Sequence, residues 1–321
     1  MRTVNIRHLV AGAIILSSLD ASAAEVTRVG PFAFHSSFWI SLHETLMHCA
    51  TAERPCAVDS LTPDERAIWN AAVETYRTTG SGQITFRRDM RITHDVLTQI
   101  VDDDTAPKLR PPLGRALVET APMYRRYFWA ADDAANRFWI GYASAMVRDA
   151  GDELASEHAR VYARPWPKAV RVDAAPYAVP VGAYTMIGQS AGVHETVATR
   201  DSGNAGLTAL EVVFHEASHG LVHPVDGAVA EAIRKHADRL GIEPPRDLWH
   251  AILFATTSEL TRRALHKRGI SDYRPNAEEL FTRAWPHFRE PIEKYWMAYI
   301  DQRISFDEAI GRIVEAVPKP H

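Results

Sequence analysis

The chain has only two cysteines in 321 residues, Cys49 and Cys56. That is too few for a disulfide framework or for a cysteine-built zinc knuckle. It also has no excess charge of one sign: 36 lysines and arginines stand against 40 aspartates and glutamates, a formal net charge of −4, with no basic block. This balance excludes strong electrostatic attraction to nucleic acid or to an anionic bilayer. No apolar run reaches the ~20 residues that span a bilayer, and there is no internal repeat and no low-complexity tract. What remains, with 46% hydrophobic and 24% charged residues, is an ordinary globular composition with enough apolar material for a large core.

The amino terminus reads as a secretory signal peptide. Arg2 and Arg7 flank the start of the short apolar run LVAGAIILSSL, and DASAAEV offers small residues for cleavage after Ala23 or Ala24. Residues 1–23 are therefore expected to be removed and residues 24–321 to form a single predominantly helical domain. The expected location is periplasmic or secreted, with no stable membrane anchor after cleavage. An oxidising compartment would permit Cys49 and Cys56 to pair across the CATAERPC loop.

Hydrophobic periodicity is mostly helical. SSFWISLHETLMHCA repeats apolar residues at helical spacing, and LTPDERAIWNAAVETYRTTG has a Thr-Pro-Asp-Glu entry and a glycine exit. An aromatic-rich helical stretch follows from Arg115 until RPWPKA breaks it. Residues 169–200, punctuated by Pro176, Pro180, Gly182, Gly188 and Gly192, form the only convincing sheet; helices resume at NAGLTALEVVFHEASHGLVH and continue to the end. The fold class is α+β, predominantly α-helical.

The stretch LEVVFHEASHGLVHP carries the chemistry. Leu207, Leu210, Phe214, Ala217 and Leu221 make an apolar helical stripe, and Glu211, His215 and His219 line up beside it. Imidazoles four residues apart on a helix can bite one zinc ion, and Glu216, next to the first, is placed to take a proton from a water on that metal. HEASH on a helix, with a glutamate further along, resembles the zincin metallopeptidases, most nearly the gluzincin branch. The resemblance covers the motif helix, the strand before it and one helix after it. It implies a zincin-like metal helix preceded by a small sheet, a single catalytic Zn2+, and hydrolysis of peptide bonds in a peptide or protein substrate. The metzincin pattern does not fit, because Val222 and Val225 stand where it needs glycine and histidine.

The third ligand is sought in DLWHAILFATTSELTRR. Glu259 continues the ladder Leu248, Ile252, Ala255 onto an inward face, beside small neighbours that would allow close helix approach, and the resemblance favours it. His250 is the rival, half a revolution out of phase with Glu259 on a regular helix. With Glu259 as ligand, His250 becomes a donor to the developing oxyanion; Tyr184 and Tyr273 are the other nominees. Glu259 also has an ordinary alternative, an ion pair with Arg263 one turn on. His223 lies two turns from His215, roughly 12 Å, too far to share one ion, and belongs to the helix end before Pro224. Glu211 is either a support for His215 or an exposed glutamate. VHETVATR reads as a candidate substrate-aligning edge strand. Trp129, Trp139, Trp166 and Trp249 line either a cleft or the core, and His35, His43, His48, His94, His158, His194 and His236 are expected to bind no catalytic metal.

Two further functions fit the same residues: a zinc-holding binding protein without turnover, and a hydrolase of non-peptide amides or esters. Glu216 favours catalysis, since a purely structural zinc needs no base beside it.

Overall fold

The computed structural model describes residues 25–53, 56, 58–79, 86–100, 102–188 and 192–317, so the expected signal peptide lies outside the described residues. Among them no helix is long and apolar enough to cross a membrane. The fold is α+β and predominantly helical, with one five-stranded sheet.

The elements run β1 (Glu25–Val29), β2 (Phe32–His35), α1 (Phe38–Thr51), α2 (Pro63–Thr79), α3 (Arg88–Thr98), α4 (Leu113–Tyr124) and α5 (Ala130–Tyr162). The middle holds β3 (Val170–Ala175), β4 (Ala183–Gly188), β5 (Gly192–Ala198) and α6 (Thr208–Ser218). The chain ends with α7 (Ala228–Leu240), α8 (Leu248–Lys267), α9 (Asn276–Arg283), α10 (Pro286–Pro291), α11 (Met297–Ile300) and α12 (Phe306–Ala316). Local chemistry explains several boundaries. α2 starts with a reciprocal cap, Glu65 N–H donating to Thr62 Oγ1 and Thr62 N–H to Glu65 Oε2, while Pro63 fills the first helical position. α7 stops at Gly241, whose φ of +63° suits glycine. Cys49 and Cys56 form a disulfide with their Cα atoms 5.4 Å apart, clipping the end of α1 to the loop after it.

The sheet order is β1-β2-β3-β5-β4. β2, β3 and β5 are parallel neighbours, and β1 and β4 are antiparallel edges. This corrects two expectations. The sheet is not confined to residues 169–200, because EVTRVGPFAFH supplies two more short strands around Gly30. VHETVATR, as β5, lies inside the sheet between β3 and β4; β4 is the edge strand beside it.

Alternation sorts the side chains onto two faces. Phe32, Phe34, Val170, Val172, Val193 and Val197 join the larger hydrophobic core with α5, α6 and α8, whereas Ala175 belongs to a second core with α1, α2 and α4. α6 crosses the first face closely: a Cβ on Gly220 would meet Val193 Cγ2 at 2.5 Å and Pro167 Cγ at 3.1 Å, so glycine is needed just past the end of α6.

Candidate metal centre

α6 and α8 pack antiparallel through two matched stripes. Glu211, His215 and His219 on α6 meet Ser258, Phe254 and His250 on α8: Ser258 Oγ donates to Glu211 Oε1 at 2.6 Å, the Phe254 ring lies 3.8 Å from that of His215, and the His250 ring lies 5.2 Å from that of His219. At one end of this seam the ring nitrogens of His215, His219 and His250 all fall within 4.8 Å of one another. Among the described residues this is the only such group of three or more His, Cys, Asp or Glu side chains.

The donor set fits zinc. Two nitrogens bound to one tetrahedral zinc at about 2.0–2.1 Å stand about 3.3 Å apart, and His215 Nε2 lies 3.3 Å from His250 Nε2. Burial lowers the pKa of all three imidazoles, His215 well below its usual value, His219 to about 3 and His250 to about 4. Neighbouring imidazoles add to this effect at His215 and His219, while Asp247 opposes it at His250. Neutral rings offer the lone pairs that a metal needs. Among the described residues His215 Nδ1 is buried without a hydrogen-bond partner, the position from which an outer hydrogen bond commonly orients a ligating imidazole.

Glu216 faces the sheet. Thr185 Oγ1 on β4 donates to Glu216 Oε2 at 2.6 Å and lies 2.8 Å from the Glu216 carbonyl oxygen. Burial pushes the Glu216 carboxyl up to about 7, with the Thr185 bond opposing the rise. Thr185 pairs directly across the β4–β5 ladder with Glu195. Glu195 is fully buried, and neither of its carboxyl oxygens has a hydrogen-bond partner among the described residues. Burial first, and the charge of Glu216 second, raise its pKa well above the carboxylate range, which favours the protonated form. Sequence reasoning missed Glu195. The signal was a glutamate on the same strand face as Val193 and Val197, where a solvated side chain does not belong.

Several expected roles are corrected. Glu259 is not with the imidazoles: Arg262 and Arg263 bind its carboxylate at 2.6–2.7 Å, and these pairs hold its pKa below the usual value despite burial. The reason is helical phase, since His250, Phe254 and Ser258 occupy the stripe that faces α6. Tyr184 lies on the opposite face of the sheet from α6 and donates to Glu44 Oε1 at 2.6 Å, so it is no oxyanion donor at this site. Tyr273 donates to Glu211 Oε2. Glu211 is buried, not exposed, and is held by Ser258, Tyr273 and the Asn276 N–H; it ties α6 to α8 and to the start of α9 without bonding His215. His223 pairs with Asp226 outside the cluster. Trp139 is core, with its indole N–H bonded to the Asn204 carbonyl, whereas Trp249 stacks on His250.

A cleft of about 640 Å³ lined by His48, Tyr177, Pro180 and Arg200 shares no lining residue with the histidine cluster. It brings no ligating set together, so we place the candidate site by its chemistry and not by cleft size. No protein-family model matches this chain, and no curated protein or solved structure matches it.

Proposed function

We propose that this protein is a zinc-dependent hydrolase, most simply a metallopeptidase, in which His215, His219 and His250 hold one zinc ion and Glu216 is the general base. The observation that carries this reading is the convergence of three imidazoles, kept neutral by burial, from two helices to metal-ligand spacing; Glu216 follows His215 in the chain, with its carboxyl held by Thr185 on β4. Zinc held by three protein ligands keeps a position open, polarises a carbonyl and lowers the pKa of a water to about 7.

The chain's own part is to move the proton. A carboxyl raised to about 7 can take a proton from the attacking water and return it to a leaving amine near neutral pH. Thr185 fixes the rotamer of Glu216 through its 2.6 Å bond, and Glu195 behind it contributes a buried carboxyl whose protonated form adds no competing negative charge. Among the described residues the backbone of β4 ladders only with β5, so its other edge can pair with an extended peptide, which would then pass beside Glu216. A periplasmic or secreted location, from the amino-terminal pattern, belongs to the same proposal.

Purified protein should contain about one zinc per chain. Glu216→Gln should keep that zinc and lose roughly 10²- to 10⁴-fold in kcat/KM on a peptide library. A variant as active as the unmodified protein would remove Glu216 from the chemistry, and folded protein that takes up no zinc under replete conditions would remove the site.

A further inference from the structure

We infer that Trp249, Phe254 and Trp285 form the recognition wall of this site, and that it takes substrates with a bulky apolar side chain, aromatic best, beside the bond to be cleaved. The inference rests on the metal-site reading above. Every imidazole of the cluster has an aromatic neighbour. Phe254 lies against His215 with ring centroids 3.8 Å apart, Trp249 meets His219 edge-on at 5.9 Å and stacks on His250 at 4.8 Å, and Trp285 meets His250 edge-on at 5.7 Å. Phe254 and Trp285 also touch each other at 5.8 Å, and Trp249 is joined to them through the His250 ring, which all three contact.

These rings differ from the core aromatics. Trp69, Trp139 and Trp296 are at most 2% exposed, whereas Trp249, Phe254 and Trp285 each keep part of their surface accessible while packing on the larger core. They come from two separate stretches, α8 and the link between α9 and α10, and meet at the imidazoles. The other flank of the motif is polar, with Thr185 and Glu195 facing Glu216 from the sheet. The motif helix therefore has two unlike flanks, a polar one toward the sheet and an apolar one beside the imidazoles. Partly exposed indole and phenyl faces beside a metal gain most from covering by an apolar group of the ligand, because water is removed from both surfaces.

The test uses binding by zinc-loaded Glu216→Gln protein, measured by calorimetry with two probes of one chelating group, acetohydroxamic acid and 3-phenylpropionohydroxamic acid. The phenyl compound should bind about ten- to a hundredfold more tightly, the gain expected from burying one phenyl group. Trp249→Ala and Trp285→Ala, each with zinc content unchanged, should remove most of that difference and leave acetohydroxamic acid binding as it was. Equal affinity of the two probes for the protein with its tryptophans intact would overturn the aromatic wall without needing either variant. A preference that survives both tryptophan changes would overturn it as well. Acetohydroxamic acid that fails to bind, or protein that holds no zinc, would overturn the metal-site reading and this inference with it.

Discussion

His250 and Glu259 sit on one helix and meet different fates. His250 Nε2 lies 3.3 Å from His215 Nε2 in a buried setting, while Glu259 is satisfied by two arginines at its edge. His250→Ala should therefore abolish stoichiometric zinc binding. Glu259→Ala should keep the zinc and cost at most about 1 kcal/mol of stability, the usual worth of such partly solvated ion pairs. Metal analysis by plasma emission, with thermal melts in parallel, separates the two; zinc lost from Glu259→Ala and kept by His250→Ala would reverse the assignment. At this scale the motif residues His215, Glu216 and His219 were legible in the sequence, because their relation is set inside one helix. Glu195 was not, because nothing within β5 says which buried group it will face.

Between elements, the α6–α8 seam is what aims the imidazoles, and Glu211 anchors its far end. Its buried carboxylate accepts from Ser258, Tyr273 and the Asn276 N–H, so Glu211→Ala strands several buried donors at once. The expected loss is about 3–5 kcal/mol, read as a lower midpoint in urea unfolding, with weaker zinc retention in competition with a chelator as the seam loosens. Unchanged stability would mean that these bonds do not hold the helices in register. The α6 stripe of Glu211, His215 and His219 was readable from period alone. Its partner on α8 was not: the inward ladder Leu248, Ile252, Ala255 is real and buried, but the stripe of His250, Phe254 and Ser258 faces α6. A helix that packs on more than one side has more than one inward face, and period cannot say which neighbour each face meets.

For the molecule as a whole, buried ionisable groups lie on both faces of the sheet: His158, Glu195 and Glu211 on the face packed with α5, α6 and α8, and His43, Glu44, His94 and His194 on the other. Burial lowers the pKa of His35 to about 4, His43 to about 3 and His158 to about 4, and lowers His94 and His194 as well. Unfolding restores a pKa near 6.5, so the unfolded chain takes up protons first. The stabilising contribution of these neutral histidines is complete above about pH 6.5 and is lost as pH falls through their folded values. Glu44, raised to about 8 mainly by burial, has the opposite sign: its contribution is present below about pH 4.5 and is lost as pH rises through 8. Glu195 and Glu211, also raised by burial, share that sign. A chelating buffer leaves His215, His219 and His250 metal-free, so they add to the histidine side, and Glu216 adds to the carboxyl side; the lowered histidines outnumber the raised carboxyls, so stability should climb from about pH 4 to about 6.5 and then decline toward 8. Urea unfolding across that range checks the shape, and a flat profile between pH 4.5 and 6.5 would rule out the buried neutral histidines.

By itself the sequence determined the predominantly helical class, the limits of several helices, and the motif with its two imidazoles and intervening glutamate, all of which depend on periodicity and capping within one segment. Only the tertiary structure decided that His250 completes the cluster, that β5 lies inside the sheet with β4 at its edge, and that Tyr184 belongs to the far side of the sheet. The physical reason is common to all three. Each is a matter of which face of one segment meets which face of another remote in the chain, and that is set by the packing of the whole core rather than by any local pattern.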